Sequence, residues 1–232
     1  MASTPTKGTA MYIEMIKGLL SKEEVSKVIE LSEQLRFVDG RSSTNPGSSV
    51  KNNLQADMED PIYVEAGQVV RAAIFRSKTF REYAIPKNMA LPMVTKYEPG
   101  MDYGFHVDAA MLATKPPMRA DVSTTIFLSD PKSYDGGELV AKMGARDMEF
   151  KLEPGDAVLY PSVTLHRVKP VTRGVRLVAI TFCESSVRDH YERELLYQLG
   201  KAINLERDKL TFETLTELNN VHTNLLRYWT ER

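Results

Sequence analysis

The sequence predicts a mainly β protein with helical flanks, its core a double-stranded β-helix of the jelly-roll, cupin-like kind, and three observations carry that prediction. Short β-rich runs follow one another from Leu91 onward. Strong turn signals punctuate them, among them Tyr134-Asp135-Gly136-Gly137 and Glu153-Pro154-Gly155-Asp156, where Pro154 and Gly155 suit the central positions of a type II turn. Helical patterning is confined to the two ends of the chain, which leaves the strands to roll up between helices. An open sheet would have two edges to protect and ranks below the closed roll.

Taken in order, residues 1–10 are small and polar and read as a flexible tail. Met11 to Leu20 carries Glu14 and Lys17, so it is too short and too charged for a signal segment or a membrane span. Ser21-Lys22-Glu23-Glu24 is a capping box, and Val25, Val28, Ile29 and Leu35 follow at helical spacing, so a first helix should end near Arg36. Residues 40–50 turn to Ser, Thr, Asn, Pro and Gly and read as a loop. Lys51-Asn52-Asn53-Leu54-Gln55 is a donor-rich cluster that reads as a solvated turn, its role open. Asp60 can cap a second helix with Pro61 in its first turn, running to about Arg76.

Strands are expected over residues 91–97, 122–128, 138–142, 147–152, 156–160, 165–169 and 175–183. After Ser185 the β signal stops. Leu195, Leu196, Leu199 and Ile203, then Leu215, Leu218, Val221, Leu225 and Trp229, suit one or two amphipathic helices that cover the roll or form a homodimer seam. The expected organisation is therefore a tail over 1–10, one domain over 11–185 with N-terminal helices and the jelly-roll core, and a C-terminal helical segment over 186–232 packed on it.

The chain has 232 residues, 42% hydrophobic and 26% charged, enough for one core. Its net charge is −1, with 30 basic and 31 acidic residues, which argues against nucleic acid or a membrane as the main partner. Cys183 is the single cysteine, so no intrachain disulfide forms, and a reducing, cytoplasmic setting is expected. It reads as a small buried hydrophobe, while His190 and His222 read as surface or satisfied histidines.

Chemistry concentrates in Tyr97-Glu98-Pro99-Gly100-Met101-Asp102-Tyr103-Gly104-Phe105-His106-Val107-Asp108. On a strand, His106 and Asp108 project from one face. A second histidine on a neighbouring strand would complete a set of two imidazoles and one carboxylate, which leaves coordination positions open and suits non-haem Fe(II) and dioxygen. His166 lies in a β-rich segment downstream. Pro170 and Gly174 mark a reversal after it, and a hairpin centred on Val171 would set His166 opposite Arg176. A guanidinium there grips a carboxylate by two parallel hydrogen bonds, so a dicarboxylic cosubstrate could span the metal and Arg176.

These residues resemble the PKHD-type Fe(II) and 2-oxoglutarate-dependent hydroxylases, relatives of the prolyl 4-hydroxylase alpha subunit. Lys51-Asn52-Asn53-Leu54-Gln55, Tyr103-Gly104-Phe105-His106-Val107-Asp108, Phe127-Leu128-Ser129-Asp130-Pro131, Tyr134-Asp135-Gly136-Gly137-Glu138-Leu139-Val140, Gly155-Asp156-Ala157-Val158-Leu159-Tyr160-Pro161, Leu165-His166-Arg167-Val168, Thr172-Arg173-Gly174 and Asn224-Leu225-Leu226-Arg227 carry the match. The resemblance implies that His106, Asp108 and His166 bind Fe(II) and that Arg176 binds the distal carboxylate of 2-oxoglutarate. It implies Tyr97 near the cosubstrate, Tyr103 on the substrate side, and L-ascorbate as a reductant, with no catalytic residue beyond the metal site. The expected reaction is dioxygen-dependent hydroxylation of an unactivated C–H, most simply of a prolyl residue in a peptide or protein, with release of succinate and CO2. Segments 40–53 and 109–121 are candidate lids. The competing readings are a nucleic-acid demethylase using the same chemistry and a redox-inactive metal-binding cupin, which would not need Arg176.

Overall fold

The computed structural model describes residues 13–43 and 50–230, so the tail expected over 1–10 lies outside the described residues. In chain order, β1 (Glu14–Ile16) leads to α1 (Lys22–Gln34), followed by β2 (Phe37–Asp39), β3 (Lys51–Asn52) and β4 (Leu54–Ala56). Two helices, α2 (Pro61–Arg76) and α3 (Lys78–Ala84), precede β5 (Pro86–Met89), β6 (Met93–Tyr97) and β7 (Asp102–His106). Then come β8 (Met111–Leu112), β9 (Met118–Arg119), β10 (Val122–Phe127), β11 (Asp135–Gly136), β12 (Leu139–Met143) and β13 (Arg146–Phe150). The last strands are β14 (Ala157–Pro161), β15 (His166–Val168), β16 (Val171–Arg173) and β17 (Arg176–Ser185), before α4 (His190–Glu206) and α5 (Phe212–Trp229).

Local chemistry sets the helix ends. Ser21 Oγ accepts from the Glu24 amide at 3.2 Å while Glu24 Oε2 accepts from the Ser21 amide at 2.8 Å, and Val25, Val28 and Leu31 turn inward. Asp60 Oδ1 accepts from the Ile62 amide at 2.9 Å and Pro61 opens α2, as its missing N–H permits. The seven-residue α3 went unpredicted because it follows α2 with only Ser77 between them. That residue ends α2, and its hydroxyl caps α3 by accepting from Phe80 N. Among the described residues no helix is long and apolar enough to cross a membrane.

Thirteen of the described strands form two facing antiparallel sheets, and β8 with β9 and β11 with β16 pair apart from them. The larger runs β1-β14-β10-β17-β6-β4-β2, with β5 added on β17, and the smaller runs β13-β12-β15-β7-β3. Jelly-roll packing gives the large sheet two buried faces. The helices cover one, where Val122, Ile126, Leu159 and Ala179 meet Val28, Val70, Ile74 and Phe80. The other faces the small sheet across Tyr97, Phe127, Leu139, Phe150, Val158, Tyr160 and Val178. The type II turn before β14 forms as expected, with Gly155 at φ 90° and its carbonyl accepting from Leu20 N at 3.1 Å.

Two expectations are corrected. His166 and Arg176 are not opposed across a hairpin. His166 in β15 pairs with His106 of β7, and Arg176 in β17 pairs with Tyr97 of β6, so the two residues belong to different sheets. Between them the chain forms β16, which pairs with β11, and then crosses over at Gly174. Residue spacing is the same for a hairpin and for a crossover, so it could not separate them. The second correction concerns Lys51-Asn52-Asn53-Leu54-Gln55, which is not a solvated turn. It forms β3 on the small sheet and β4 on the large one, closing the roll on that side, with Lys51, Asn53 and Gln55 only 6%, 4% and 2% exposed.

Candidate active site

The turn at Pro99-Gly100 returns the chain into β7, whose register sets His106 directly across from His166. Asp108 lies just past the strand end, and its backbone N–H donates to Ser162 O at 3.3 Å. The three side chains converge. Asp108 Oδ1 is 3.8 Å from Nε2 of both His106 and His166, and one ligand atom from each residue lies within 4.8 Å of the others.

Hydrogen bonds behind the cluster fix which atoms face into it. His106 Nδ1 is 2.7 Å from Gly104 O and His166 Nδ1 is 2.8 Å from Thr164 O. Each carbonyl takes an Nδ1 proton, which leaves the Nε2 lone pairs free to act as donors toward a cation. Ser123 Oγ donates to Asp108 Oδ2 at 2.5 Å and is tied to Ser162 Oγ at 2.8 Å, so Oδ1 is the carboxylate oxygen left for a metal. Burial, then the neighbouring His166, lowers His106 to about 4, so its imidazole is neutral and ligand-ready across the physiological range. Burial raises the Asp108 carboxyl, the cost of holding a carboxylate in a dry site before a cation offsets it.

Arg176 reaches the same interior from the facing sheet. It is 1% exposed, with its guanidinium carbon 4.9 Å from the Tyr97 ring centroid and 5.7 Å from that of Phe127. Its Nε has no hydrogen-bond partner, and no carboxylate forms an ion pair with it among the described residues. Leaving a buried guanidinium without an acid is costly. Tyr97 and Tyr160 lie in the core between the two sheets, Tyr97 against Arg176 and Tyr160 with its ring 5.0 Å from that of His166, so the fork and the cluster border the same interior. Gly137, at φ 68°, makes room for the arginine, since a Cβ there would sit 2.9 Å from Arg176 Cδ.

The structure thus brings together all six residues singled out in the sequence. Tyr97 lies against Arg176, and Tyr103 stacks on His106 at 3.5 Å between centroids, 11° from parallel. Sequence reasoning gave no role to Ser123, which lies in no quoted motif, or to Tyr160, which does but whose ring proves to lie 5.0 Å from that of His166. It also missed the inward row Lys51, Asn53 and Gln55, whose period of two was a readable strand signal.

A His-Asp-His cluster inside a double-stranded β-helix, faced by an unpaired buried arginine, defines an oxygenase-type centre. In agreement, the family model of the 2OG-Fe(II) oxygenase superfamily matches residues 92–184. A PKHD-type hydroxylase of Sphingopyxis alaskensis is 43% identical over 91% of this chain and 96% of its own length. The PKHD-type hydroxylase YbiX of Escherichia coli is 41% identical over 93% of this chain and 98% of its own. The chain belongs to the PKHD-type hydroxylases, a family whose enzymes use Fe(II), 2-oxoglutarate and dioxygen. Its fold is shared with a Trichoplax adhaerens prolyl hydroxylase solved with a peptide fragment of hypoxia inducible factor, at TM-score 0.55, 15% identity and coverage of 79% of this chain and 86% of that one. A Pseudomonas putida prolyl-4-hydroxylase gives TM-score 0.50 at 18% identity over 75% of this chain and 92% of its own.

Proposed function

We propose that this hydroxylase acts on a prolyl residue of a peptide or protein, with His106, Asp108 and His166 holding Fe(II) and Arg176 holding the distal carboxylate of 2-oxoglutarate. The observation that carries the reading is the buried guanidinium with an orphaned Nε and no acid of its own, facing the His-Asp-His cluster across the two sheets. Two imidazoles and a carboxylate with open positions fit Fe(II), and a dicarboxylate fits the span between cluster and fork. A metal-binding cupin of redox-inactive type has no use for that arginine. Nor does the net charge of −1 favour a nucleic-acid substrate.

When bound, Fe(II) with 2-oxoglutarate and dioxygen supplies the oxidising power that places one oxygen atom on a substrate carbon as succinate and CO2 are released. The chain's own residues do the rest. Gly104 and Thr164 carbonyls hold the two imidazole tautomers, and Ser123 orients the Asp108 carboxylate. Tyr97 and Phe127 wall the fork and exclude water, so its grip on a carboxylate is not diluted by solvent. Tyr103, stacked on His106, is the substrate-side wall. The prolyl hydroxylases among the fold neighbours support a prolyl target, and L-ascorbate is the expected reductant for uncoupled turnover. A buried Cys183 whose thiol burial pushes up to about 12 suits a reducing cytoplasm. Exposed Phe212, Val221 and Tyr228 on α5 suit a homodimer.

The test is a screen of proline-containing peptides with Fe(II), 2-oxoglutarate and air, read by mass spectrometry for a gain of one oxygen and by succinate release. Asp108→Ala and His166→Ala are expected to abolish both signals. Succinate release at the wild-type rate in either variant rejects the metal assignment.

A further inference from the structure

The side wall formed by β3 and β4 carries a second buried cation that the proposed chemistry does not use. Lys51 is 6% exposed, and its Nζ donates to Ser43 Oγ at 2.8 Å and to Gln55 Oε1 at 3.2 Å. Both acceptors are neutral. Among the described residues no carboxylate forms an ion pair with it: of the two acids whose charge reaches it, Asp108 belongs to the His-Asp-His cluster and Asp39 is engaged by Arg41 through Nε at 2.9 and 3.0 Å. The ammonium has three protons, and among the described residues two of them have hydrogen-bond acceptors.

Its place in the site is set by register. Lys51 pairs with Tyr103, and its Nζ lies 5.6 Å from the Tyr103 ring centroid, while the other contact of that ring is the stacked His106. Lys51 therefore stands beside the metal cluster on the Tyr103 side, whereas Arg176 stands on β17 with Tyr97. The two cations thus approach from different strands, β3 of the small sheet and β17 of the large one.

Charge bookkeeping separates their roles. A divalent cation on two neutral imidazoles and one carboxylate leaves a single positive charge, Arg176 adds another, and a 2-oxoglutarate dianion cancels both. Lys51 remains in surplus, in a dry wall where an unpaired ammonium is destabilising and where an apolar side chain would pack without penalty. We infer that Lys51 is the recognition residue for a carboxylate carried by the substrate close to the carbon that is hydroxylated, so that the preferred substrate is anionic at that point. This rests on the oxygenase reading above and adds to it the charge class of the substrate. Ser43 and Gln55 hold the ammonium in place in advance, so little ordering is needed when the carboxylate arrives.

The experiment uses the full chain. Under argon, the charge-transfer absorption of the Fe(II) complex with 2-oxoglutarate is first titrated in wild type, Lys51→Met and Lys51→Gln. Absence of that band in wild type rejects the oxygenase reading before any substrate probe is added. With Mn(II) and saturating 2-oxoglutarate, calorimetry then compares acetyl-Gly-Pro-Asp-amide and acetyl-Asp-Pro-Gly-amide with their Asn counterparts, and acetylproline with acetylprolinamide. In wild type at least one acidic probe is expected to bind tenfold or more tightly than its amide partner. That preference should fall below about threefold in both Lys51 variants, while 2-oxoglutarate affinity stays within about twofold. Equal or undetectable binding of every pair to wild type overturns the inference, as does an acid preference that survives in a folded Lys51 variant. A collapse of 2-oxoglutarate affinity in both variants also overturns it, because Lys51 would then belong to the cosubstrate.

Discussion

Arg176 and Lys51 show how much a single buried charge reports about a site. Arg176 presents a planar fork between aromatic walls, and a lysine there would lose the second parallel hydrogen bond. Arg176→Lys is expected to weaken 2-oxoglutarate binding by tenfold or more with metal content unchanged, measured by anaerobic titration alongside metal analysis. An unaltered cosubstrate affinity would remove the arginine from its role. Lys51 makes a pH prediction. Burial lowers it from 10.5 to about 8, partly offset by Asp108 and Asp39. Below pH 8 it is protonated in both folded and unfolded chains, and the burial penalty is present in full. Between pH 8 and 10.5 the folded chain releases the proton while the unfolded chain keeps it, so stability rises with pH. Relative to Lys51→Met, the wild type should therefore recover about 3 kcal/mol across that window, read by urea denaturation at a series of pH values. A flat difference would mean that the ammonium is not buried as described.

At the scale of elements, the helix signals were written locally and the strand partners were not. The capping box of α1 and the Asp60-Pro61 start of α2 use side chains within three residues of the atoms they satisfy, so both could be read directly. Ser21→Ala is expected to cost about 1 kcal/mol in denaturant melts and to leave metal and 2-oxoglutarate binding as they were. The turn at Gly136-Gly137 was legible as a turn, yet nothing local tells that Gly137 borders the arginine. Its φ of 68° and the 2.9 Å approach to Arg176 Cδ make Gly137→Ala a backbone and site lesion together. That variant should lose about 1–3 kcal/mol of stability and also weaken 2-oxoglutarate binding, whereas Ser21→Ala changes stability only. Strand pairing depends on residues far apart, and here it reversed the expected hairpin between β15 and β17 and drew residues 51–56 into the wall.

For the whole molecule, the cluster lies on the small sheet and the arginine on the large one, so a cosubstrate that spans them links the two layers of the roll. Metal and 2-oxoglutarate together, each at about 100 times its dissociation constant, should stabilise the fold by at least about 2.7 kcal/mol, and 2-oxoglutarate should add nothing to Arg176→Ala. Thermal melts with Mn(II), with and without 2-oxoglutarate, check this. The sequence by itself determined the class: β-rich runs between helical ends, a His-x-Asp pair, which the structure sets at the end of β7 with Asp108 just beyond the strand, and His166 and Arg176 downstream, because residue type and short spacing are local properties. Only the tertiary structure decided that Arg176 comes from the opposite sheet, that Ser123 leaves one Asp108 oxygen free, and that Lys51 is a buried cation beside Tyr103. Each of those depends on which distant strands share hydrogen bonds, and pairing is set by the packing of two sheets around one core rather than by any stretch of chain alone.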